Sequence, residues 1–472
     1  MIVFVRKLKA GDNCNIITKM FCKIISLERE DTFHTSSHIQ CRSTIHNFIW
    51  TLMVFHDANV RKKRQTALFV ERKIVYLHKI VEMRRICFVV DSIFSVGGVQ
   101  RVTSVIAREL AKDYDVTIAT FDRPDAKNLS FYDLQESNIS YRFLSYPKVN
   151  RWEIIINKIY SGLYLKFQPK TKWFSDLYAR SSFPAKLRNA LTRELIRGNY
   201  QVIIGVHAPL AARLSTIKDN FPHTKLIGWV HNSFEALFCD TSLYIGAKRK
   251  RHYVYQFTKL YKVILLCHHD VNSYLEYDSK FNPIAIYNPL TLQPSLPSQG
   301  NSKRFLAVGR FSHLHKGFDL LIEAFHLFAQ NNKEWILDIV GEGVEEELYR
   351  SLIEQYQLED RISIHPFTSN IQEYYSQAQI YVLSSRWEGF GLVLVEAMAH
   401  GLPIVSSDLP TSTEIMGDFG IYFKNGDIKD LAQKLHDATH IDWQAKTKQA
   451  VAIAQKFNIS QIIAQWKQVI DE

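Results

Sequence analysis

Two glutamates near the C-terminal end of the sequence, Glu388 and Glu396, lie eight residues apart across a glycine-bearing turn. The turn follows an apolar run at residues 380–383, which predicts a strand, and it leads into a helical pattern that begins near Gly391. We therefore expect Glu388 in the loop at the carboxyl end of the strand and Glu396 about one turn into the helix. Gly389 and Gly391 leave backbone N–H groups uncovered at the helix N-terminus, where an anionic group such as a diphosphate is favoured.

Three further glycine-bearing motifs each follow a run that predicts a strand. A single Gly-x-Gly is weak evidence of a phosphate site, whereas several motifs in one order, each at the carboxyl end of a strand, are strong evidence of a nucleotide site. The motifs are Gly97-Gly98-Val99-Gln100-Arg101, then Val308-Gly309-Arg310 with Lys316-Gly317 shortly after it, then Ile339-Val340-Gly341-Glu342-Gly343.

In type and order these motifs resemble those of the retaining glycosyltransferases of family 4, in which Glu388 and Glu396 match the E-x7-E motif. The resemblance covers about residues 83–472 and is densest from 303 to 425. It implies the GT-B fold, an α/β architecture of two Rossmann-like domains whose parallel sheets face an interdomain cleft. It also implies transfer of a hexosyl or N-acetylhexosaminyl group from a nucleotide-sugar donor, such as a UDP-sugar, with retention of anomeric configuration.

The same resemblance assigns roles to individual residues. Arg310 and Lys316 match the arginine and lysine that bind the donor diphosphate. Glu396 matches the glutamate that holds the ribose hydroxyls, and His231, which closes a predicted strand, matches a histidine that contacts the donor sugar. The residues implied as catalytic are Glu388, His231, Arg310 and Lys316, and those implied as donor-binding are Gly98, Gly309, Arg310, Lys316, Gly341, Glu388, Gly389, Phe390, Gly391, Leu392 and Glu396.

Glu388→Gln is expected to abolish transfer at little cost in stability, because the sequence suggests an open cleft loop around this carboxylate. No carboxylate is obviously placed as a covalent nucleophile. The family's usual mechanism is attack on the same face of the sugar, with the leaving phosphate accepting the proton.

We expect no metal ion and no other cofactor. Asp113-Tyr114-Asp115 has the Asp-x-Asp form of a metal–nucleotide motif, but it falls between a helix and the start of a strand, at the edge of a parallel sheet that does not bind ligands. His268-His269-Asp270 follows another strand. Its adjacent side chains diverge and no third ligand is apparent, so it is not predicted to be a metal site.

A chain of 472 residues is too long for one core, and alternating strands and helices predict parallel sheets covered on both faces. We interpret residues 83–290 as an acceptor domain, 291–456 as a nucleotide-sugar donor domain and 457–472 as a helix that crosses back to the first domain. Residues 1–82 lack a sustained period, and they represent either an over-extended reading frame with the true start at Met83 or an accessory arm. The predicted strands are 86–91, 116–120, 202–206, 226–230, 263–267, 304–308, 336–340, 362–365, 380–383, 404–406 and 421–423, and the predicted helices include 100–112, 210–218 and 459–470.

Charge is unevenly distributed along the chain. Residues 83–292 carry 29 Lys and Arg against 17 Asp and Glu, whereas residues 293–472 carry 15 against 23. The cations are densest between Arg142 and Arg197, where aromatic residues are interleaved with them. This pattern favours an anionic membrane surface as partner, although a solvated basic face would give the same charge run. No nucleic-acid-binding signature accompanies the charge, and no apolar run approaches the ~20 residues of a membrane span.

These features predict a cytoplasmic enzyme that is peripheral at the inner face of the cell membrane. It would add a sugar to a growing glycan, lipid-linked, during synthesis of a surface polysaccharide such as capsule, exopolysaccharide, O-antigen or teichoic acid. Two alternatives remain open from the sequence: a nucleotide-sugar epimerase or phosphorylase of the same architecture, and a catalytically silent scaffold bound to the membrane.

Overall fold

The structure is a computed structural model in which Met83–Glu472 form one compact unit. The two hypotheses for residues 1–82 fall outside the described residues, as do residues 293–297 near the start of the predicted donor domain. In the part of the chain that the structure describes, no helix is long and apolar enough to cross a bilayer. The described residues are 83–240, 242, 244–292, 298, 300–312 and 315–472.

The first sheet contains seven strands in the order β3-β2-β1-β4-β5-β6-β7, and every pairing within it is parallel. Its central strands β1, after Arg85, and β4 are apolar and buried, as is typical of parallel strands that helices cover on both faces. The strand order reverses between β1 and β4, which opens a crevice at the carboxyl ends of these strands. The strands are β1 (Arg85–Val90), β2 (Asp115–Thr120), β3 (Ser140–Phe143), β4 (Val202–Val206), β5 (Lys225–Trp229), β6 (Lys262–Leu265) and β7 (Pro283–Ala285).

The second sheet contains six strands, also all parallel, in the order β10-β9-β8-β11-β12-β13. Its order reverses between β8 and β11, the two strands that precede the Lys316 and Glu388 loops. The crevice of this sheet therefore lies where the motifs are densest. The strands are β8 (Arg304–Val308), β9 (Ile336–Val340), β10 (Ile362–His365), β11 (Ile380–Leu383), β12 (Ile404–Ser407) and β13 (Ile421–Phe423).

Helices connect most successive strands and cover both sheets. Those of the first sheet are α1 (Gly98–Leu110), α2 (Arg151–Phe167), α3 (Lys172–Ser182), α4 (Ala185–Arg197), α5 (Ala208–Ser215), α6 (Phe234–Phe238), α7 (Lys250–Phe257) and α8 (His268–Tyr277). Those that follow are α9 (Phe318–Ala329), α10 (Glu346–Gln355), α11 (Ile371–Gln377), α12 (Leu392–Ala399), α13 (Pro410–Met416), α14 (Ile428–Ala438), α15 (Trp443–Ala454) and α16 (Ile459–Asp471).

The predicted α/β class with two Rossmann-like parallel sheets is confirmed, and each predicted strand is present to within one or two residues at its ends. The sequence missed β3 and β7, the two edge strands of the first sheet. The residues of β3 and β7 are only partly buried, so neither has the continuous apolar run of a central strand. A proline also begins β7, which is a position that an edge strand tolerates.

The C-terminal helix α16 packs against the first sheet. The Trp466 ring is buried and lies 4.8 Å from the Trp229 ring and 6.1 Å from the Phe88 ring, between centroids. At the end of the helix, the Ile470 carbonyl accepts hydrogen bonds from Arg84 at 2.7 Å and from Lys225 at 3.2 Å. The chain therefore returns from the second sheet and joins the two halves through a buried aromatic contact.

Substitution of Trp466 tests whether α16 packs against the first sheet. We expect Trp466→Ala to lower the free energy of unfolding by about 3–5 kcal/mol, because it empties a buried indole site. Trp152, whose side chain is 70% exposed, is the matched control, and Trp152→Ala should change stability by no more than about 0.5 kcal/mol. Urea unfolding followed by circular dichroism measures both changes, and equal small losses would contradict the packing of α16.

Candidate active site

The loop between β11 and α12 carries the first glutamate of the predicted motif. Gly391 is the N-cap of α12 with φ near 80°, a left-handed conformation that favours glycine, and Glu396 lies on the helix itself. Glu388 lies in the loop, as its position after the strand predicted, and the Ser385 hydroxyl donates to its Oε1 at 2.6 Å. The side chain of Phe390 is buried against the rings of Tyr287 and Phe457, so it packs in the core.

Lys316, in the loop after β8, forms an ion pair with Glu388. The distance from Lys316 Nζ to Glu388 Oε1 is 2.5 Å, and the two side chains are only 15% and 7% exposed. Burial alone would raise the pKa of the Glu388 carboxyl, but the Lys316 ammonium, the neighbouring His315 and the Ser385 hydroxyl together hold it below its usual value. Glu388 is therefore an anion at neutral pH.

This burial revises the expectation that Glu388→Gln costs little stability. The sequence suggested an open loop, whereas the structure buries the carboxylate and gives it a cationic partner. The neutral amide would leave Lys316, which is largely buried, without its anion.

Glycines let the loops of the second sheet approach one another closely. Gly317 has φ near 62°, and a Cβ at this position would lie 2.0 Å from the Ser384 carbonyl oxygen. The Ser384 hydroxyl also donates to the Lys316 carbonyl at 2.8 Å, which joins the loops after β8 and β11. A Cβ on Gly341 would lie 1.9 Å from the Gly309 carbonyl oxygen. Packing alone thus requires glycine at position 317 and at the predicted donor-binding position Gly341.

Arg310 extends from the loop after β8 toward the first domain. Its side chain is exposed, and its Nη2 donates to the Val96 carbonyl at 3.2 Å. Val96 lies in the loop after β1 and directly precedes Gly97, the N-cap of α1. The predicted diphosphate-binding arginine therefore lies where the loops of the two domains meet.

His231 follows β5 and is buried in the first domain. Burial, assisted by the neighbouring His207, holds the pKa of the His231 imidazole well below its usual value, so the ring is neutral at pH 7. Its Nε2 has no hydrogen-bond partner among the described residues. A Cβ on Gly389 would lie 2.0 Å from the His231 carbonyl oxygen, so the Glu388 loop packs directly against this end of β5.

Glu396 has partners that the sequence did not predict. Arg101, near the start of α1, forms an ion pair with Glu396 Oε1, and the Tyr375 hydroxyl donates to Oε2 at 3.0 Å. The Glu396 side chain is 3% exposed. Both carboxylate oxygens implied to hold ribose are thus bonded to protein groups in this structure. The sequence motif Gly97-Gly98-Val99-Gln100-Arg101 does draw attention to Arg101, but no rule of residue spacing predicts that Arg101 pairs with Glu396.

Gly98 and Leu392 lie at the same interface. A Cβ added to Gly98 would meet the Leu392 side chain at 3.4 Å, an ordinary van der Waals distance. The N-terminal ends of α1 and α12 are therefore in contact, and Gly98, Glu388 and Lys316 all lie in segments that follow the carboxyl ends of parallel strands.

The two candidate metal motifs have protein partners instead. Asp113 pairs with Lys467 at 2.6 Å, and Asp115 pairs with Arg85 at 3.4 Å. His269 contacts Glu235 at 2.9 Å, between Nε2 and Oε1. Across residues 83–472, apart from the short gaps in the description, no group of His, Cys, Asp and Glu is arranged to hold a metal ion.

Sequence comparisons find similarity to known glycosyltransferases. Residues 291–456 match the family model described as Glycosyl transferases group 1. The chain is 29% identical over 403 residues to an uncharacterized glycosyltransferase of Haemophilus influenzae, across 82% of this chain and 100% of that protein. It is 27% identical over 347 residues to the amylovoran biosynthesis glycosyltransferase AmsD of Erwinia amylovora, across 72% of this chain and 85% of that protein.

The crystal structure of Anabaena HepE in complex with UDP and glucose superposes with a TM-score of 0.62 at 18% identity, across 82% of this chain and 99% of that one. The fold is GT-B, as predicted. Together, the family match over residues 291–456 and the GT-B fold support a glycosyltransferase.

The Arg101–Glu396 pair can be tested by a double-mutant cycle. Arg101→Gln, Glu396→Gln and the double variant should give a coupling energy of about 1–3 kcal/mol in urea unfolding, because the pair is shielded from water. The exposed helical pair Arg350–Glu346 is the matched control, and it should couple by about 0.3–0.5 kcal/mol. Equal coupling energies in the two cycles would count against the interdomain pair.

Proposed function

We propose that this protein is a retaining glycosyltransferase of family 4 that transfers a hexosyl or N-acetylhexosaminyl group from a UDP-sugar to a lipid-linked glycan acceptor. The observation that carries the proposal is the buried Lys316–Glu388 ion pair at the switch point of the second sheet, with Arg310 in the same loop as Lys316. In open α/β sheets this crevice is where nucleotides bind.

Arg310 and Lys316 would stabilise the leaving diphosphate. Negative charge develops on the diphosphate as the anomeric bond breaks, and cations fixed beforehand lower that barrier without reorganisation. The Lys316 ammonium is fixed by Glu388 Oε1, and it has further N–H donors that can face a phosphate. The same ion pair keeps the Glu388 carboxylate charged, so it can accept hydrogen bonds from sugar hydroxyls.

His231 would contact the donor sugar as a neutral group. Its Nε2 has no partner among the described residues, and a buried polar atom of this kind is costly unless a ligand supplies the partner. Because the pKa of the imidazole is depressed, the ring would bind a hydroxyl by a neutral hydrogen bond. The Gly389–Leu392 backbone would hold the sugar beside it, and the departing phosphate would take the acceptor's proton during attack on the same face.

Glu396 would bind the ribose hydroxyls after its contacts rearrange. Arg101 and Tyr375 occupy its two oxygens in this structure, so a nucleotide must share or replace one of these bonds. Arg101 belongs to the first domain and Glu396 to the second. Donor binding in this proposal therefore competes with a contact that joins the two domains.

The proposed acceptor, a lipid-linked glycan, would be bound through the first domain. AmsD is named for amylovoran biosynthesis, which supports a role in assembling a surface polysaccharide. The basic, aromatic-rich helices α2, α3 and α4 would keep the enzyme reversibly at an anionic membrane surface on the inner face, where a lipid-linked glycan is accessible.

Variants of the donor site test the proposal through nucleotide release from a panel of UDP- and GDP-sugars. Glu388→Gln should abolish transfer, and Arg310→Ala and Lys316→Ala should each lower kcat/KM at least tenfold, or ~1.4 kcal/mol. Lys429→Ala, an exposed lysine of the second domain, is the control and should be unaffected. Thermal unfolding must be measured for Glu388→Gln, so that loss of the buried ion pair is separated from loss of chemistry. Near wild-type turnover in all three variants would refute the donor site.

Metal dependence provides an independent test. Since Arg310 and Lys316 take the role of a divalent cation in this proposal, we expect EDTA to leave the rate of UDP-sugar turnover unchanged. Titration of the EDTA-treated protein with Mg²⁺ or Mn²⁺ measures the dependence. A strict requirement for either ion would overturn the assignment of Asp113 and Asp115 to structural ion pairs alone.

A further inference from the structure

Helix α2 has an apolar stripe that faces solvent. Trp152, Ile156, Ile159, Leu163 and Phe167 recur every three or four residues, so they lie on one face of the helix. Each of them is exposed, with Trp152 at 70% and Phe167 at 69%. An amphipathic helix of a soluble domain normally turns such a stripe toward the core. Here the apolar face is turned outward.

A second face of α2 attaches it to the domain. The Tyr164 ring is buried and stacks on the Tyr178 ring of α3, with centroids 4.5 Å apart. The side chains of Arg151, Lys158 and Lys166 are exposed alongside the apolar stripe. An outward apolar face flanked by cations is the arrangement of helices that lie in the interface of an anionic bilayer.

A cavity of about 270 Å³ lies at the C-terminal end of this helix. Lys170 lines it from the turn between α2 and α3, Lys172 from the start of α3, and Arg251 from α7. The rings of Tyr255 and Tyr277 form part of its wall. Three cations thus meet at one cavity, and two of them lie three and five residues after Phe167, which ends the apolar stripe.

These cations have few partners within the protein. Among the described residues, Lys170 and Arg251 make no side-chain hydrogen bond or ion pair, and the Lys172 ammonium lies 5.5 Å from the centre of the Tyr255 ring. Asp278 is the single acidic residue among those that line the cavity in the described structure. The net charge of the lining therefore favours an anion, and lysine and arginine are suited to phosphoryl oxygens.

We propose that this cavity binds the phosphoryl headgroup of an anionic bilayer lipid while the apolar stripe of α2 inserts beside it. The stripe selects a lipid over a free phosphate ion as the occupant. A helix of this kind is buried ~5–10 Å into the headgroup–acyl boundary, which brings its end to the level of the lipid phosphates. This inference rests on the membrane association within the proposed function, but it is independent of the donor chemistry.

The test is co-sedimentation of the full-length protein with vesicles of two compositions. Both contain phosphatidylcholine, and the anionic component is either phosphatidic acid or oleate, matched for surface potential. Wild type should bind the phosphatidic acid vesicles about tenfold more tightly, since the headgroup adds contacts to the shared surface charge. Inorganic phosphate at equal ionic strength should compete weakly, because it lacks the acyl chains.

Two charge-matched variants separate the cavity from the general surface charge. Lys170→Glu with Lys172→Glu reverses two cavity cations, and Lys158→Glu with Arg180→Glu reverses two exposed cations outside the cavity lining. The first variant should lose the preference for phosphatidic acid, whereas the second should weaken binding to both vesicles and keep the preference. Thermal unfolding and UDP-sugar turnover should be unchanged in both.

Three results would overturn the headgroup site: equal binding of wild type to the two vesicles, equal loss of preference in the two variants, or full competition by inorganic phosphate. Wild type that sediments with neither vesicle would also remove the proposed membrane association. The donor chemistry would remain testable by nucleotide release, so the failure of one proposal is distinguishable from the failure of the other.

Discussion

The ion pair between Lys316 and Glu388 is the interaction around which the second domain is organised. It joins the loops that follow β8 and β11, the neighbouring strands at which the sheet order reverses. Burying two charges is costly unless they neutralise each other and their remaining hydrogen-bonding groups are satisfied. The Ser385 hydroxyl satisfies part of the carboxylate, and Gly317 lets the two loops approach. A fixed cation and a fixed anion thus meet at the mouth of the crevice.

The loops around this pair also make the contacts between the two domains. Arg310 reaches the Val96 carbonyl, Gly389 lies against the His231 carbonyl, and Arg101 crosses to Glu396. A ligand that binds more tightly when one of these contacts is broken shifts the equilibrium toward a different arrangement of the two domains. In the proposed function, Glu396 binds the ribose of the donor and also pairs with Arg101 of the first domain. Donor binding and movement of the domains are therefore linked through this residue.

The sequence was sufficient to predict most of the fold because central parallel strands are buried on both faces and leave apolar runs. Edge strands β3 and β7 are half exposed, so their sequences lack this signal. The loop position of Glu388 followed from the strand before it. The burial of Glu388 and the Arg101–Glu396 pair could not be predicted in this way, because both depend on how segments distant in sequence pack together. The hydrogen bond from Tyr375 of α11 to Glu396 also depends on tertiary packing, so the spacing of the residues does not predict it.

Charge gives the two halves of the chain different relations to the proposed membrane surface. Residues 83–292 have an excess of cations and include α2 with its outward apolar stripe, whereas residues 293–472 have an excess of carboxylates. An anionic surface attracts the first half and repels the second over a Debye length of roughly 8–10 Å. In the proposed function, the domain at residues 83–290 would thus be held at the bilayer while the domain at residues 291–456 stays clear of it.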